Sequence, residues 1–475
     1  GYNPESDHWL PLWLHLLDTA EVAGHLARHW LAPTTGDLIE REFADSPSGL
    51  SPTDEFCLLA SWIAGVHDVG KCTPAFSCQV KGLDDRMKEA GLTHEQVDPL
   101  ERRKVPHALA GQLILEPWLE DEHGWKHGPA MTLASIVGAH HGIPPTKAAL
   151  TTDYFGHEHL LGGEEWSATQ RELLDLVTTR TGAESLLHHW AQHRWSQSFL
   201  VELSGLVIVA DWIASTEKYF DLLSLNDNGT HLLAPDAHAE RVATGLARLE
   251  IPAPWQPRDD GADADSLLAQ RFDLPDGARA TDVQARTLTA ARTMDLPGLL
   301  IVEESTGGGK TEAAYMAAEV LATRTGRAGV LFALPTQATT DAMFSRELSW
   351  LENIEQAYAE DGAPSDFAIQ LLHGRSRLNE EARPLRRRGY EIHDRLLGGL
   401  GGEVKDFPAP ICVGPDEKEA RRGRAIGVAD QRRADLAILA WFNGRKKAML
   451  SDFVVTTVDH LLFGAMRSPH LAMRH

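Results

Sequence analysis

The chain has 475 residues, 43% of them hydrophobic and 24% charged, and a formal net charge of −23. That length exceeds one ordinary core and predicts two or three domains at roughly 150 residues each. The acidic balance excludes a protein that coats nucleic acid indiscriminately, because phosphate is gripped by clustered Lys and Arg. The cysteines Cys57, Cys72, Cys78 and Cys412 lie in no close-pair zinc spacing and make no disulfide framework. No apolar run approaches the ~18 residues of a membrane span, and the start, with Asp7, His8 and Trp9, lacks the basic and apolar regions of a signal peptide. The expectation is a cytoplasmic, monomeric protein that meets no membrane.

Residues 1–250 read as an all-α domain, with apolar residues such as Phe56, Leu59, Ile63 and Val66 recurring at three- and four-residue steps. Polar residues interrupt these runs in a recurring way. His67-Asp68 ends the run Phe56 to Val66 and is followed by Val69, Gly70 and Lys71. His15 lies inside Trp13-Leu14-His15-Leu16-Leu17, His107 opens Ala108 to Leu115, His140-His141 ends Leu133 to Ala139, and Asp211 interrupts Leu206 to Ile213. A buried carboxylate is costly unless it is paired or binds a metal. Five histidines and two aspartates exceed the needs of one ion that keeps room for water and substrate, so two metals about 3.5–4 Å apart would use them all. Imidazole-rich ligation favours Mn, Fe, Co, Ni or Zn over Mg and Ca. Lys71 either offers its charge to a scissile phosphate or is a solvated helix end.

The order His15, His67-Asp68, His107, His140-His141, Asp211 resembles the HD superfamily of metal-dependent phosphohydrolases, and in particular the nuclease domain of the type I CRISPR-associated nuclease-helicases. The contexts His15-Leu16-Leu17-Asp18-Thr19, His67-Asp68-Val69-Gly70-Lys71, His140-His141-Gly142 and Ala210-Asp211-Trp212-Ile213-Ala214-Ser215 carry the likeness. The resemblance implies two divalent transition-metal ions (Fe, Mn, Co or Ni) on those ligands, catalysis centred on His67, Asp68 and Lys71, single-stranded DNA as substrate, and recruitment by the RNA-guided Cascade surveillance complex.

Residues 251–268 change composition, with Pro252, Pro254 and Pro257 before the acidic run Asp259 to Asp265, and are expected to be a linker. Residues 269–475 alternate short β-rich runs with helical stretches, which predicts an α/β lobe on a parallel sheet, RecA-like in the resemblance. The strands are expected at Gly298 to Glu303, Gly329 to Leu334, Phe367 to Leu372 and Asp452 to Thr457. After the first comes Glu304-Ser305-Thr306-Gly307-Gly308-Gly309-Lys310-Thr311 and then a helical stretch, the strand-to-helix setting of a phosphate-binding loop. The glycines let backbone N–H groups approach phosphates, Lys310 reaches the β and γ oxygens, and the Thr311 hydroxyl meets Mg²⁺, so ATP with Mg is the expected cofactor. Glu304 replaces the first glycine of the general pattern.

Gln284 stands where helicases of this type place an adenine-contacting glutamine, and Ala333 to Ala338 and Val455 to Leu462 resemble motifs that hold a DNA backbone. Basic clusters occur at Arg386 to Arg388, at Arg421, Arg422 and Arg424, at Arg432-Arg433 and at Arg445 to Lys447, while Gly399 to Arg433 has no clear period. No acidic box follows Thr311 and no second helicase lobe is present, so this portion alone is expected to bind ATP weakly without hydrolysing it. Two rival readings are an HD phosphohydrolase acting on nucleotides and a nuclease-silent docking fragment.

Overall fold

The computed structural model describes residues 2–3, 5–249, 251–275, 277–359, 367–374, 376, 379–396, 439–443 and 447–467. It divides into two compact units, one built on Gly1–Leu31 and Thr35–Leu249, the other on Glu250–Phe463.

The first unit is helical apart from three two-residue strands, β1 (Tyr2–Asn3), β2 (His8–Trp9) and β3 (Leu223–Ser224), paired antiparallel in that order. Helices α1 (Leu12–His29) and α2 (Pro52–Val66) pack against each other at its centre. Around them stand α3 (His107–Asp121), α4 (His127–Ala139), α5 (Glu164–Thr181), α6 (Gln197–Ala214) and α7 (Pro235–Ala247). The start of α2 is set by Ser51, whose hydroxyl accepts from the Asp54 N–H, by Pro52 in the first turn, and by Asp54 and Glu55 at the positive end of the helix dipole. Ser196 caps α6 in the same way, accepting from the Phe199 N–H.

One expectation needs correction here. Helix α6 is 18 residues long with a mean hydropathy of 1.4, enough by length and composition for a membrane span. Its apolar residues Leu203, Leu206, Val207, Ile208, Val209 and Ile213 are buried, and the helix packs on α1 and α2. A helix apolar on nearly all sides is what the centre of a large core requires.

Glycine lets two elements of this core approach beyond side-chain distance. A Cβ on Gly70 would stand 2.0 Å from the His107 carbonyl oxygen and 2.4 Å from the Gly111 nitrogen. The turn after His67-Asp68 therefore lies directly on the first turn of α3.

The second unit contains a parallel sheet of β4 (Val330–Leu334), β5 (Ile369–Leu372) and β6 (Phe453–Thr457) in the order β4-β6-β5, with Val330 and Ile369 both opposite Phe453. Around it stand helices α8 (Ala264–Arg271), α9 (Asp282–Thr293), α10 (Lys310–Thr325), α11 (Gln337–Ala359) and α12 (Ala382–Leu396), and a further helix, α13 (Val458–Arg467), follows β6. Multidomain organisation, an all-α first half and an α/β second half on a parallel sheet all agree with the sequence.

Two expectations for this unit do not hold. Residues 298–303 form no strand, and Leu299 and Ile301 are 82% and 72% exposed. Strand geometry needs a neighbouring edge to complete its hydrogen bonds, and none of the described strands pairs with this run. Nor are residues 251–268 simply a linker. Trp255 is 2% exposed and its ring lies 5.0 Å from that of Phe453, while Asp263 caps α8 through the Ser266 N–H. Leu267 and Leu268 are buried with Leu288, Met316 and Val320. Burying a side chain of this size stabilises by about 2 kcal/mol, which overrides the polar composition around it. Gly399 to Arg433, the arginines 421, 422, 424, 432 and 433, and Arg445 and Lys446 lie outside the described residues.

Candidate metal centre and nucleotide loop

Helix ends bring the polar interruptions together. His67 closes α2 and Asp68 follows in the turn, His107 opens α3 behind Pro106, His140 closes α4 with His141 after it, and His15 and Asp211 project from α1 and from the last turn of α6. They converge on the two oxygens of Asp68. On one side, Asp68 Oδ2 is 3.0 Å from His15 Nε2 and 3.3 Å from His67 Nε2, and both imidazoles are 3.4 Å from Asp211 Oδ1. On the other, Asp68 Oδ1 is 3.5 Å from His107 Nε2 and from His140 Nε2, and His141 Nε2 is 2.7 Å from His107 Nε2. Ligand atoms thus fall into two groups, His15/His67/Asp68/Asp211 and His107/His140/His141, with the Asp68 carboxylate between them.

Surrounding groups fix how these ligands face. His67 Nδ1 donates to the Ala64 carbonyl and His140 Nδ1 to the Val137 carbonyl, each at 2.6 Å, so both turn Nε2 inward. Ser215 Oγ donates to Asp211 Oδ1 at 2.9 Å, and Thr19 Oγ1 donates to the His15 carbonyl at 2.7 Å. Asp18, fully buried one turn from His15, accepts from Arg241 and lies 3.1 Å from His238 Nε2, tying α1 to α7.

His67 Nε2, Asp68 Oδ1 and His140 Nε2 are buried without a hydrogen-bond partner. Buried acceptors are rarely left so, and several orphaned lone pairs aimed at one another are satisfied by a cation. The residues present therefore fit divalent metal in both character and number.

The electrostatics agree. Burial works against ionisation of Asp68, but the Lys71 ammonium and the imidazoles of His67 and His15 hold its carboxyl well below the usual range. Asp211 is held low as well, against its burial, by the neighbouring His15 and His67 imidazoles. Burial also opposes charge on His67, yet the Asp68 and Asp211 carboxylates outweigh it and push its pKa up to about 10. In the other group burial dominates, lowering His140 to about 3 and His107 to about 4. One side consequently attracts positive charge strongly, and the other offers neutral nitrogen ligands near pH 7. The Lys71 ammonium is bonded to Asp68 Oδ2 and sits 5.8 Å from the centre of the Phe76 ring.

In the second unit the nucleotide-loop residues remain contiguous. Gly307 and Gly309 have φ of 83° and 82°, the left-handed region where glycine carries no steric cost, and Gly309 precedes the first turn of α10. Thr306 is exposed. Lys310 Nζ donates to the carbonyls of Glu304 and Ser305, and the Thr311 hydroxyl accepts from Arg346 Nη1 at 3.0 Å.

Gln284 is turned inward: it is 4% exposed, Oε1 accepts from the Thr281 N–H at 2.9 Å, and Nε2 donates to the Gly309 carbonyl at 3.1 Å. Its polar atoms hold the start of α9 and the loop. Pairing of Thr281 with Gln284 three residues on is a capping box, a legible signal that sequence reasoning passed over. Of the strand-end motifs, Thr456 is buried and donates to the Leu372 carbonyl, whereas Thr336 is exposed at the start of α11.

Fold and chain order together define a class, an HD domain fused to a helicase lobe. Residues 2–220 match the family model for the Cas3 HD domain. The CRISPR-associated nuclease/helicase Cas3 of Streptococcus thermophilus is 32% identical over 98% of this chain and 46% of its own length. The crystal structure of T. fusca Cas3 with ADP has the same fold, with a TM-score of 0.65 at 22% identity over 99% of this chain and 45% of that one. A chain in a solved CRISPR RNA-guided surveillance complex, pre-nicking, matches with a TM-score of 0.54 at 22% identity over 98% of this chain and 42% of that one. The chain belongs to the Cas3 family, and it spans less than half the length of the relatives it matches.

Proposed function

We propose that this chain is the nuclease domain and first helicase lobe of an enzyme that degrades single-stranded DNA in type I CRISPR interference. His15, His67, Asp68 and Asp211 would hold one divalent transition metal and His107, His140 and His141 a second, with Asp68 facing both groups. The observation that carries this proposal is the division of the two Asp68 oxygens between separate groups of imidazoles, His15 and His67 on one and His107 and His140 on the other. Bound metals would supply Lewis acidity, activating a water near neutral pH and neutralising charge on the phosphate. Asp68 and Asp211 balance the charge of the ions, the Nδ1 bonds of His67 and His140 keep the imidazoles in register, and Lys71 orients Asp68 and stands ready for an anionic substrate.

In the second unit, the loop Glu304 to Thr311 takes ATP with Mg, and the complete protein couples its hydrolysis to movement along DNA. Support comes from the left-handed glycines ahead of α10 and from the family relationship. Recruitment by the surveillance complex is supported by the structural match to a chain of such an assembly.

The experiment is cleavage of circular single-stranded DNA by this chain without ATP, compared across Mn²⁺, Co²⁺, Ni²⁺, Fe²⁺ and Mg²⁺, with chelator and Asp68→Ala controls. Transition-metal-dependent cutting that Asp68→Ala abolishes is expected. Absence of cutting with every metal, or cutting indifferent to Asp68, overturns the proposal.

A further inference from the structure

Arg346 lies on α11, an element from which sequence reasoning drew no nucleotide contact. Its side chain is exposed, and among the described residues it forms no ion pair. What it does contact is the Thr311 hydroxyl, at 3.0 Å from Nη1. Thr311 is the second residue of α10, after Lys310, which directly follows the three glycines.

Nearby carboxylates do not explain this placement. The adjacent Glu347 is completely buried with neither oxygen hydrogen-bonded, and burial pushes its pKa well above the usual carboxylate range. A guanidinium left without a carboxylate at the mouth of a phosphate-binding loop is one hydrogen bond away from the hydroxyl that such loops use to hold Mg²⁺ beside the terminal phosphates. The ion and Arg346 compete for that oxygen. When the ion takes it, the guanidinium is released next to the terminal phosphate oxygens, whose planar bidentate recognition suits arginine better than lysine.

We propose that Arg346 is a phosphate-reading residue of the nucleotide site: it holds the Thr311 hydroxyl in the unliganded loop and moves onto the terminal phosphates of a bound nucleoside triphosphate. This rests on the assignment of residues 304–311 as a nucleotide loop. It predicts discrimination by phosphate number, because a nucleoside monophosphate does not extend to the Thr311 hydroxyl.

The test is a titration of this chain with fluorescent ATP, ADP and AMP analogues in the presence of Mg²⁺, for the unmodified protein, Arg346→Ala, Arg346→Lys and Lys310→Ala. Removing a charge-assisted hydrogen bond costs about 1.5–3 kcal/mol, so Arg346→Ala is expected to weaken ATP binding by about tenfold or more. AMP binding and the melting temperature should stay unchanged. Arg346→Lys, keeping the charge without the fork, should recover part of the loss. Unchanged ATP affinity in Arg346→Ala, or an equal loss for ATP and AMP, overturns the role of Arg346 while loss of binding in Lys310→Ala leaves the nucleotide loop standing. ATP binding that survives Lys310→Ala overturns the nucleotide loop and this inference together.

Discussion

The two candidate sites are assembled in opposite ways. In the first unit the ligands come from His15 to Asp211, nearly 200 residues apart in the chain; His15, His67, Asp68 and His140 are buried, His107 and Asp211 half-buried, and His141 reaches the surface. In the second, the loop residues are contiguous from Glu304 to Thr311, the first four exposed and the last four half-buried, with Lys310 bonded to the loop's own carbonyls. A dispersed site exists only when every helix end is in place, whereas a contiguous loop needs little more than the helix start beside it. The first should therefore be rigid and intolerant, the second adaptable, and the difference can be tested by substitutions and ligands aimed at each.

The largest effect is expected at Asp68. Losing a residue that merely orients a ligand costs about 10–100-fold in metal affinity or activity, and Asp68 touches both ligand groups directly. Asp68→Ala should lower single-stranded DNA cleavage by more than about 100-fold and reduce the number of transition-metal ions bound, counted by calorimetry. Retention of both ions would show that the two groups act independently and that Asp68 is no bridge.

Asp452 gives the second unit a pH dependence of its own. Burial pushes its carboxyl from 3.8 to about 7, against the hydrogen bond it accepts from the Ala368 N–H. Between about pH 4 and pH 7 the folded state holds a proton that the unfolded chain has released, so stability falls as pH rises through that window. The unfolding transition of this unit should drop by up to a few kcal/mol between pH 5 and pH 8, a loss that Asp452→Asn should largely remove. A flat profile would show that Asp452 is already ionised in the fold.

Ligands should separate the units in the same way. A ligand at 100 times its dissociation constant stabilises the fold that binds it by about 2.7 kcal/mol. Mn²⁺, Co²⁺ or Ni²⁺ should raise the transition of the first unit and chelator should reverse it, while Mg²⁺-ATP should raise that of the second. Differential scanning calorimetry reads both. A metal-induced shift confined to the second transition would place the ions elsewhere than on the histidines.

What the sequence made legible follows the same contrast. Polar residues at the ends of apolar helical runs, such as His67-Asp68 after Val66 and His140-His141 after Ala139, are a one-dimensional signal, because desolvating them has no other economical explanation. The glycines before Lys310 are another, since spacing and setting are both local. Burial that depends on distant partners was not legible: Trp255 looked like linker until Phe453 covered it, and Leu299 and Ile301 looked like strand although no described strand pairs with them. The local engagement of Gln284 was hidden for a related reason. Its side chain is consumed by Thr281 and by Gly309, and the second of these lies 25 residues away.

The smallest and sharpest comparison uses one chemical change at both sites. In Gly70→Ala the new methyl group would stand 2.0 Å from the His107 carbonyl oxygen, which is backbone and cannot swing aside. Overpacking typically costs 1–3 kcal/mol, and here about 3 kcal/mol is expected, together with impaired metal binding because His107 is the residue displaced. In Gly307→Ala the methyl group meets nothing within 4 Å, so only the left-handed φ of 83° opposes it. That strain of roughly 1–2 kcal/mol is partly offset by the reduced freedom of the unfolded chain, about 0.4–1 kcal/mol, which leaves a net loss near 1 kcal/mol. Urea unfolding of the two variants measures both values. Equal losses would mean that the turn after Asp68 relaxes away from α3 as easily as an exposed loop does, and the buried site would then be no more rigid than the loop.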